Sequence, residues 1–139
     1  CISSAASDVY KRQPMTLFEL QETVLKYINK QEKEIPFWNL ITQPYSSLED
    51  RCKNIAKSIS FSTSIEKGES VIGGGTLPDV TLESPILLIN NEKTVDTVNQ
   101  LIKNDIPIIP RIIKDQVCLD LRSVFHNQDD IIVQALNNS

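Results

Sequence analysis

The hydrophobic period of this chain changes near residue 60, from helical stripes alone to short strand-like runs with further helical stripes between them, a mixture that points away from a purely helical bundle and from an all-β barrel. Before that point apolar residues recur at helical spacing. Leu17, Leu20, Val24 and Ile28 form one stripe, and Leu48, Cys52, Ile55, Ala56 and Ile59 form a second. Thr16 with Glu19, and Ser46 with Glu49, each spell a T/S-x-x-E capping box ahead of these stripes. The spacing predicts one helix from Thr16 to about Asn29 and another behind Ser46. Between them a charged connector leads to Ile35, Pro36, Phe37 and Trp38, where the aromatic pair reads as a packing anchor between helices.

After the switch strand-like apolar runs alternate with helical stripes. Residues 61–65 and 70–72 predict two short strands around a turn at Glu66, Lys67 and Gly68. Residues 85–89 form a compact apolar block, as a well-buried strand does. Val95, Val98, Leu101 and Ile102 mark a third helix that stops near Asn104. Residues 106–113 read as a strand whose Pro107 and Pro110 remove two ladder donors and so demand an edge or a bulge. Lys114 and Asp115 look like a hairpin turn into residues 116–121, where Val117, Leu119 and Leu121 face one side and Cys118 and Asp120 the other. Asn127 is placed to cap a last helix, with Asp129 and Asp130 at its positive end and Ile131, Ile132, Ala135 and Leu136 as its apolar face. Strands with helices on one face make an α/β two-layer sandwich, preceded here by two helices.

At 139 residues the chain holds about one domain, and a net charge of −4 gives it no basic face of its own for nucleic acid. No apolar run approaches the ~20 residues that span a bilayer, so the expectation is a soluble, cytoplasmic protein. Cys1, Cys52 and Cys118 have no CxxC spacing and read as reduced thiols, and the single His126 excludes a histidine-rich metal site. Residues 1–13 lack periodicity and an apolar signal core, and read as a disordered or adaptor-like tail.

Two features carry candidate chemistry. Three of the chain's four glycines, Gly73, Gly74 and Gly75, stand together before Thr76, Leu77 and Pro78. Consecutive glycines serve a turn through positive φ, or a close backbone approach. The stretch has neither the phosphate-loop nor the dinucleotide-binding spacing. Arg111 and Arg122 stand in and just after the last two strands, where a guanidinium holds a carboxylate or phosphate through paired hydrogen bonds. The alternative is a strand-end arginine paired with a local acid such as Asp120. The lysines lie on polar helix faces or turns, none in a setting that suits a Schiff base.

Three collinear stretches resemble the C-terminal region of bacterial selenocysteine synthase, the L-seryl-tRNA(Sec) selenium transferase family. The first is Met15, Thr16 and Leu17, followed by Ile35-Pro36 and Leu40, Ile41 and Thr42. The second is Gly73 to Pro78, similar to the family's G-G-G-S-L-P. The third is Pro107 to Ile112 with Leu119 to Val124, like P-x-I-G-R-I and L-D-L-R-T-V. Pro110 replaces the usual glycine before Arg111, and Gln116 stands where a turn glycine is common. Lys11 and Arg12 do not match the family's upstream active-site arginines in register.

The resemblance implies the C-terminal small domain of a fold-type-I pyridoxal-phosphate enzyme. It divides the chain into the tail at 1–13, a helical linker at 14–60 and the small α/β domain at 61–139. The implied reaction converts seryl-tRNA(Sec) to selenocysteinyl-tRNA(Sec) with selenophosphate, through a dehydroalanyl intermediate, in a homo-oligomer. The cofactor, pyridoxal 5'-phosphate, would sit on a lysine upstream of this segment, leaving the segment alone inactive. Gly73, Gly74, Gly75, Thr76, Arg111 and Arg122 then become candidates for the active-site mouth. The competing expectations are the small domain of a related pyridoxal-phosphate lyase and a non-catalytic binding module.

Overall fold

The computed structural model describes residues 2–72 and 80–138, and for residues 2–13 the backbone alone. The chain forms two compact units, one up to Asn39 and one from Leu40 onward.

The first unit begins with a helix, α1 (Ile2–Ile28), which includes Pro14. The backbone of residues 2–13, which the sequence reads as an unstructured tail, is thus helical and continuous with the first apolar stripe. The capping box at Thr16 and Glu19 accordingly lies inside the helix rather than at its start. Behind a left-handed residue, Lys30 (φ 57), the chain makes a single 3-10 turn at Glu32–Glu34 and enters α2 (Pro36–Ile41). Trp38 anchors this unit as the sequence suggests. Its Nε1 donates to the Tyr27 hydroxyl at 2.6 Å, and Phe37 meets its ring edge-on, centroids 5.4 Å apart.

The second unit opens with α3 (Tyr45–Ser58), whose N-cap is Pro44. The capping box expected at Ser46 and Glu49 does not form at the cap; Glu49 instead pairs with Lys53 one turn on, at 2.7 Å. Four strands follow, interrupted by α4 and closed by α5: β1 (Ser62–Val71), β2 (Thr81–Asn90), α4 (Thr94–Lys103), β3 (Arg111–Ile113), β4 (Gln116–Asp120) and α5 (Asp129–Asn137). The sheet is antiparallel throughout, in the order β1-β2-β4-β3. Two single 3-10 turns, Leu121–Ser123 and His126–Gln128, connect β4 to α5, which takes Gln128 rather than Asn127 as its N-cap.

Residue alternation along β2 and β4 sorts the sheet into two faces. Leu87, Ile89, Val117 and Leu119 point to one side and meet Leu48, Cys52 and Ile55 of α3, Leu101 of α4, and Ile132, Ala135 and Leu136 of α5. All these residues are buried, each large one contributing about 1.5–3 kcal/mol of transfer free energy. The three helices therefore share one face of the sheet, as the α/β sandwich requires. Because α3 supplies part of this core, the compact unit begins at Leu40 and not at residue 61, where the sequence puts the linker boundary.

Two strand expectations change. The stretches at 61–65 and 70–72 are one ten-residue strand, and Gly68 is inside it, not in a turn. A Cβ at Gly68 would lie 2.5 Å from Ile86 Cγ1, so glycine is there to let the neighbouring strand's side chain across. The stretch 106–113 supplies only three strand residues, since Pro107 and Pro110 keep the preceding part out of the ladder; β3 is an edge strand, as the prolines demand. The hairpin between β3 and β4 turns at Lys114 (φ 51) and Asp115 (φ 62), the two positive-φ residues of a two-residue loop that matches the strand twist.

Candidate functional site

The sheet face opposite α3, α4 and α5 holds a polar node built from one residue of every strand. Register explains how. Ile86 pairs with Asp120, Gly68 with Ser84, Ser70 with Leu82 and Arg111 with Cys118, and these residues alternate onto the same side. Asp120, at the end of β4, is the centre. Its Oδ1 accepts from the Ser84 hydroxyl at 2.8 Å and from the Arg122 backbone N–H at 3.1 Å. Its Oδ2 accepts from the Ser70 hydroxyl at 2.5 Å and from Arg111 Nη2 at 3.2 Å. The carboxylate is largely buried, and four donors on two oxygens satisfy it.

Arg111 and Arg122, which the sequence treats alike, take different positions around this carboxylate. Arg122 is 7 % exposed. Its Nη1 donates to the carbonyls of Ile41 and Gln43, both at 3.0 Å, and its Nη2 to the carbonyl of Glu83 at 2.7 Å. The guanidinium thus ties the connector before α3 to β2, and its Nε is a buried donor without a partner among the described residues. Arg111 stands on the edge strand with its side chain 47 % exposed. One terminal nitrogen holds Asp120, and neither Nε nor Nη1 has a hydrogen bond to a described residue. The strand-end pairing with Asp120 is the arrangement Arg111 adopts. Gly73, Gly74, Gly75 and Thr76 lie outside the described residues.

A third arginine was not singled out by its sequence. Arg51 sits on α3 between Leu48 and Cys52 and is 4 % exposed. It grips Asp129 with two bonds, Nε to Oδ2 at 2.9 Å and Nη2 to Oδ1 at 2.7 Å. Its remaining donors reach Gln43 Oε1 at 2.8 Å and the carbonyls of Leu121 and Val124 at 3.2 and 2.9 Å. All five N–H groups are used, so the burial is compensated. Its place inside the apolar stripe of α3 is the signal that it faces inward. Asp129 serves this pair as well as the α5 terminus, and the exposed His126 approaches the same carboxylate, Nδ1 at 3.2 Å from Oδ2.

Neither described cysteine is poised as a nucleophile. Burial pushes the Cys52 thiol up to about 12, against the pull of the Arg51 charge. Burial also raises Cys118, which faces Arg111 across the β3–β4 pair. Both remain thiols at neutral pH. No lysine is buried among the described residues; Lys53 and Lys67 sit on the surface paired with Glu49 and Glu83 at 2.7 and 2.6 Å. These residues do not make a Schiff-base site, so the chain's described part does not fit the covalent anchor of a pyridoxal cofactor. Among the described residues, no helix is long and apolar enough to cross a membrane.

Comparison with known proteins decides the family. The model of the L-seryl-tRNA selenium transferase family matches residues 8–125, a stretch that contains most of both units and the whole polar node. The chain belongs to this family. Among curated selenium transferases, the L-seryl-tRNA(Sec) selenium transferase of Clostridium perfringens (strain ATCC 13124) is 32 % identical over 131 residues, covering 87 % of this chain. That of Clostridium botulinum (strain Hall) is 30 % identical over 131 residues, and that of Campylobacter jejuni (strain RM1221) 28 % over 123, covering 86 % and 88 % of the chain. The chain spans 28 % of the length of the two clostridial selenium transferases and 27 % of that from Campylobacter.

Proposed function

We propose that this chain is the small sheet domain, with its leading helices, of an L-seryl-tRNA(Sec) selenium transferase. In that enzyme the seryl group on tRNA(Sec) is converted to selenocysteinyl with selenophosphate as donor. Pyridoxal phosphate supplies the electron sink for such chemistry at the serine carbon, and residues outside this chain hold it. The contribution of this domain is binding and orientation: Arg111 presents a cation on the sheet face away from the helices, while Arg122 and Arg51 hold the domain's own frame. The observation that carries the reading is the family match over residues 8–125, which spans the sheet and the polar node together.

A chimera tests it. The aligned region of the Clostridium perfringens relative is replaced by this chain and assayed for selenocysteinyl-tRNA(Sec) formation from seryl-tRNA(Sec) and selenophosphate. The chimera is expected to turn over, and the 139-residue chain on its own is expected to form neither a borohydride-reducible pyridoxal adduct nor product. A dead but well-folded chimera, or a chain that is active alone, contradicts the proposal.

A further inference from the structure

We infer that Asp120 is a positioning residue, which holds the Arg111 guanidinium so that the edge without a partner among the described residues takes a phosphate-type oxyanion. The inference deepens the binding role given to Arg111 above and rests on that reading.

Three observations carry it. First, the pair has little structural purpose. Arg111 lies on a three-residue edge strand in which every residue is exposed, and its own end of the ion pair is open to solvent, which screens it and limits what it adds to the fold. Asp120 already has three other donors, in Ser70, Ser84 and the Arg122 backbone N–H. Second, the carboxylate is tethered from three sides. It is bonded to residues of β1 and β2 and to the turn after its own strand, so it fixes whatever it touches in the frame of the whole sheet. Third, the contact to Arg111 is single, through Nη2. The rest of a planar, permanently charged fork is left without a partner among the described residues, on a side chain that is 47 % exposed. A guanidinium held at one end and open at the other suits two-point recognition of a phosphoryl group. Such a group comes either from an RNA backbone or from a small free phosphate compound.

The sign of one substitution separates positioning from plain electrostatics. Removing the Asp120 charge would strengthen anion binding if Asp120 merely neutralised Arg111. It weakens binding if Asp120 aims it. The full 139-residue chain, labelled with 15N, is titrated with inorganic phosphate at constant ionic strength while the Arg111 Nε–Hε resonance is followed. The expected result is that this resonance moves saturably with phosphate and not with chloride, and that phosphate affinity falls about three- to tenfold in Asp120→Asn, the equivalent of about one lost hydrogen bond. Ser84→Ala, which keeps the charge but loosens the carboxylate, weakens binding in the same direction and covers the case in which Asp120→Asn does not fold.

A short RNA oligomer with hydroxyl ends forms the second arm. If it moves the resonance more than free phosphate does, the oxyanion is a backbone phosphodiester; if less, it is a small phosphoryl compound. An Arg111 resonance unmoved by either probe, or binding that tightens or stays equal in Asp120→Asn and Ser84→Ala, overturns the inference. Neither result touches the chimera assay, which tests the family reaction separately.

Discussion

Arg111 and Arg122 attach to the same carboxylate, one through a terminal nitrogen of its side chain and the other through its backbone N–H. Arg122 turns its guanidinium inward to three backbone carbonyls and has no carboxylate within ion-pairing distance among the described residues. Arg111 remains half-exposed on an edge strand and spends one hydrogen bond on Asp120. The difference teaches where a domain of this size puts its cations. A buried guanidinium replaces missing backbone hydrogen bonds between segments far apart in sequence, and a half-exposed one remains available for a ligand.

Substitutions at the two sites break or sharpen that contrast. The largest effect is expected at Arg122. Arg122→Ala strands the carbonyls of Ile41, Gln43 and Glu83 and opens a cavity, and urea unfolding should show a loss of about 3 kcal/mol or more. Next is Gly68→Ala, which drives a methyl into Ile86 beside the node; about 1–3 kcal/mol should be lost in the same measurement. Arg111→Gln keeps a donor for Asp120 and removes the charge, so stability should stay within about 1 kcal/mol of the parent chain. A loss at Arg111 as large as that at Arg122 would erase the distinction.

An effect absent at neutral pH concerns the alkaline limb. The Cys52 thiol has a folded value of about 12 against an ordinary 9.0, so the native state keeps this proton while the unfolded chain gives it up. Its contribution is therefore complete below about pH 9 and is lost as pH rises toward 12. Cys52→Val should flatten the alkaline fall of stability, measured by urea midpoints across that range. An unchanged slope would mean that Cys52 ionises no less readily in the fold than out of it.

Elements set by local chemistry were legible in the sequence. The alternation of Val117, Leu119 and Leu121 against Cys118 and Asp120, the turn at Lys114 and Asp115, and the helix that stops at Asn104 all follow from neighbours a few residues apart. The polar node was not legible as a node. Ser70 and Ser84 stand 50 and 36 residues from Asp120, and only the strand register brings them to one carboxylate. Gly68 reads as a turn because it stands between two short apolar runs, whereas its cause is the Ile86 side chain on the next strand. Arg51 was hidden for the opposite reason. A charged residue in a helix reads as solvated until its partner, here Asp129, is known to lie 78 positions away.

The most direct measurement is the turnover per folded molecule of the Arg111→Gln chimera, with the folded fraction taken from its unfolding curve. A loss of about tenfold or more is expected, the worth of one charge-assisted hydrogen bond to the substrate, with stability nearly unchanged. Parental turnover from Arg111→Gln would contradict it and return Arg111 to the architecture of the edge strand.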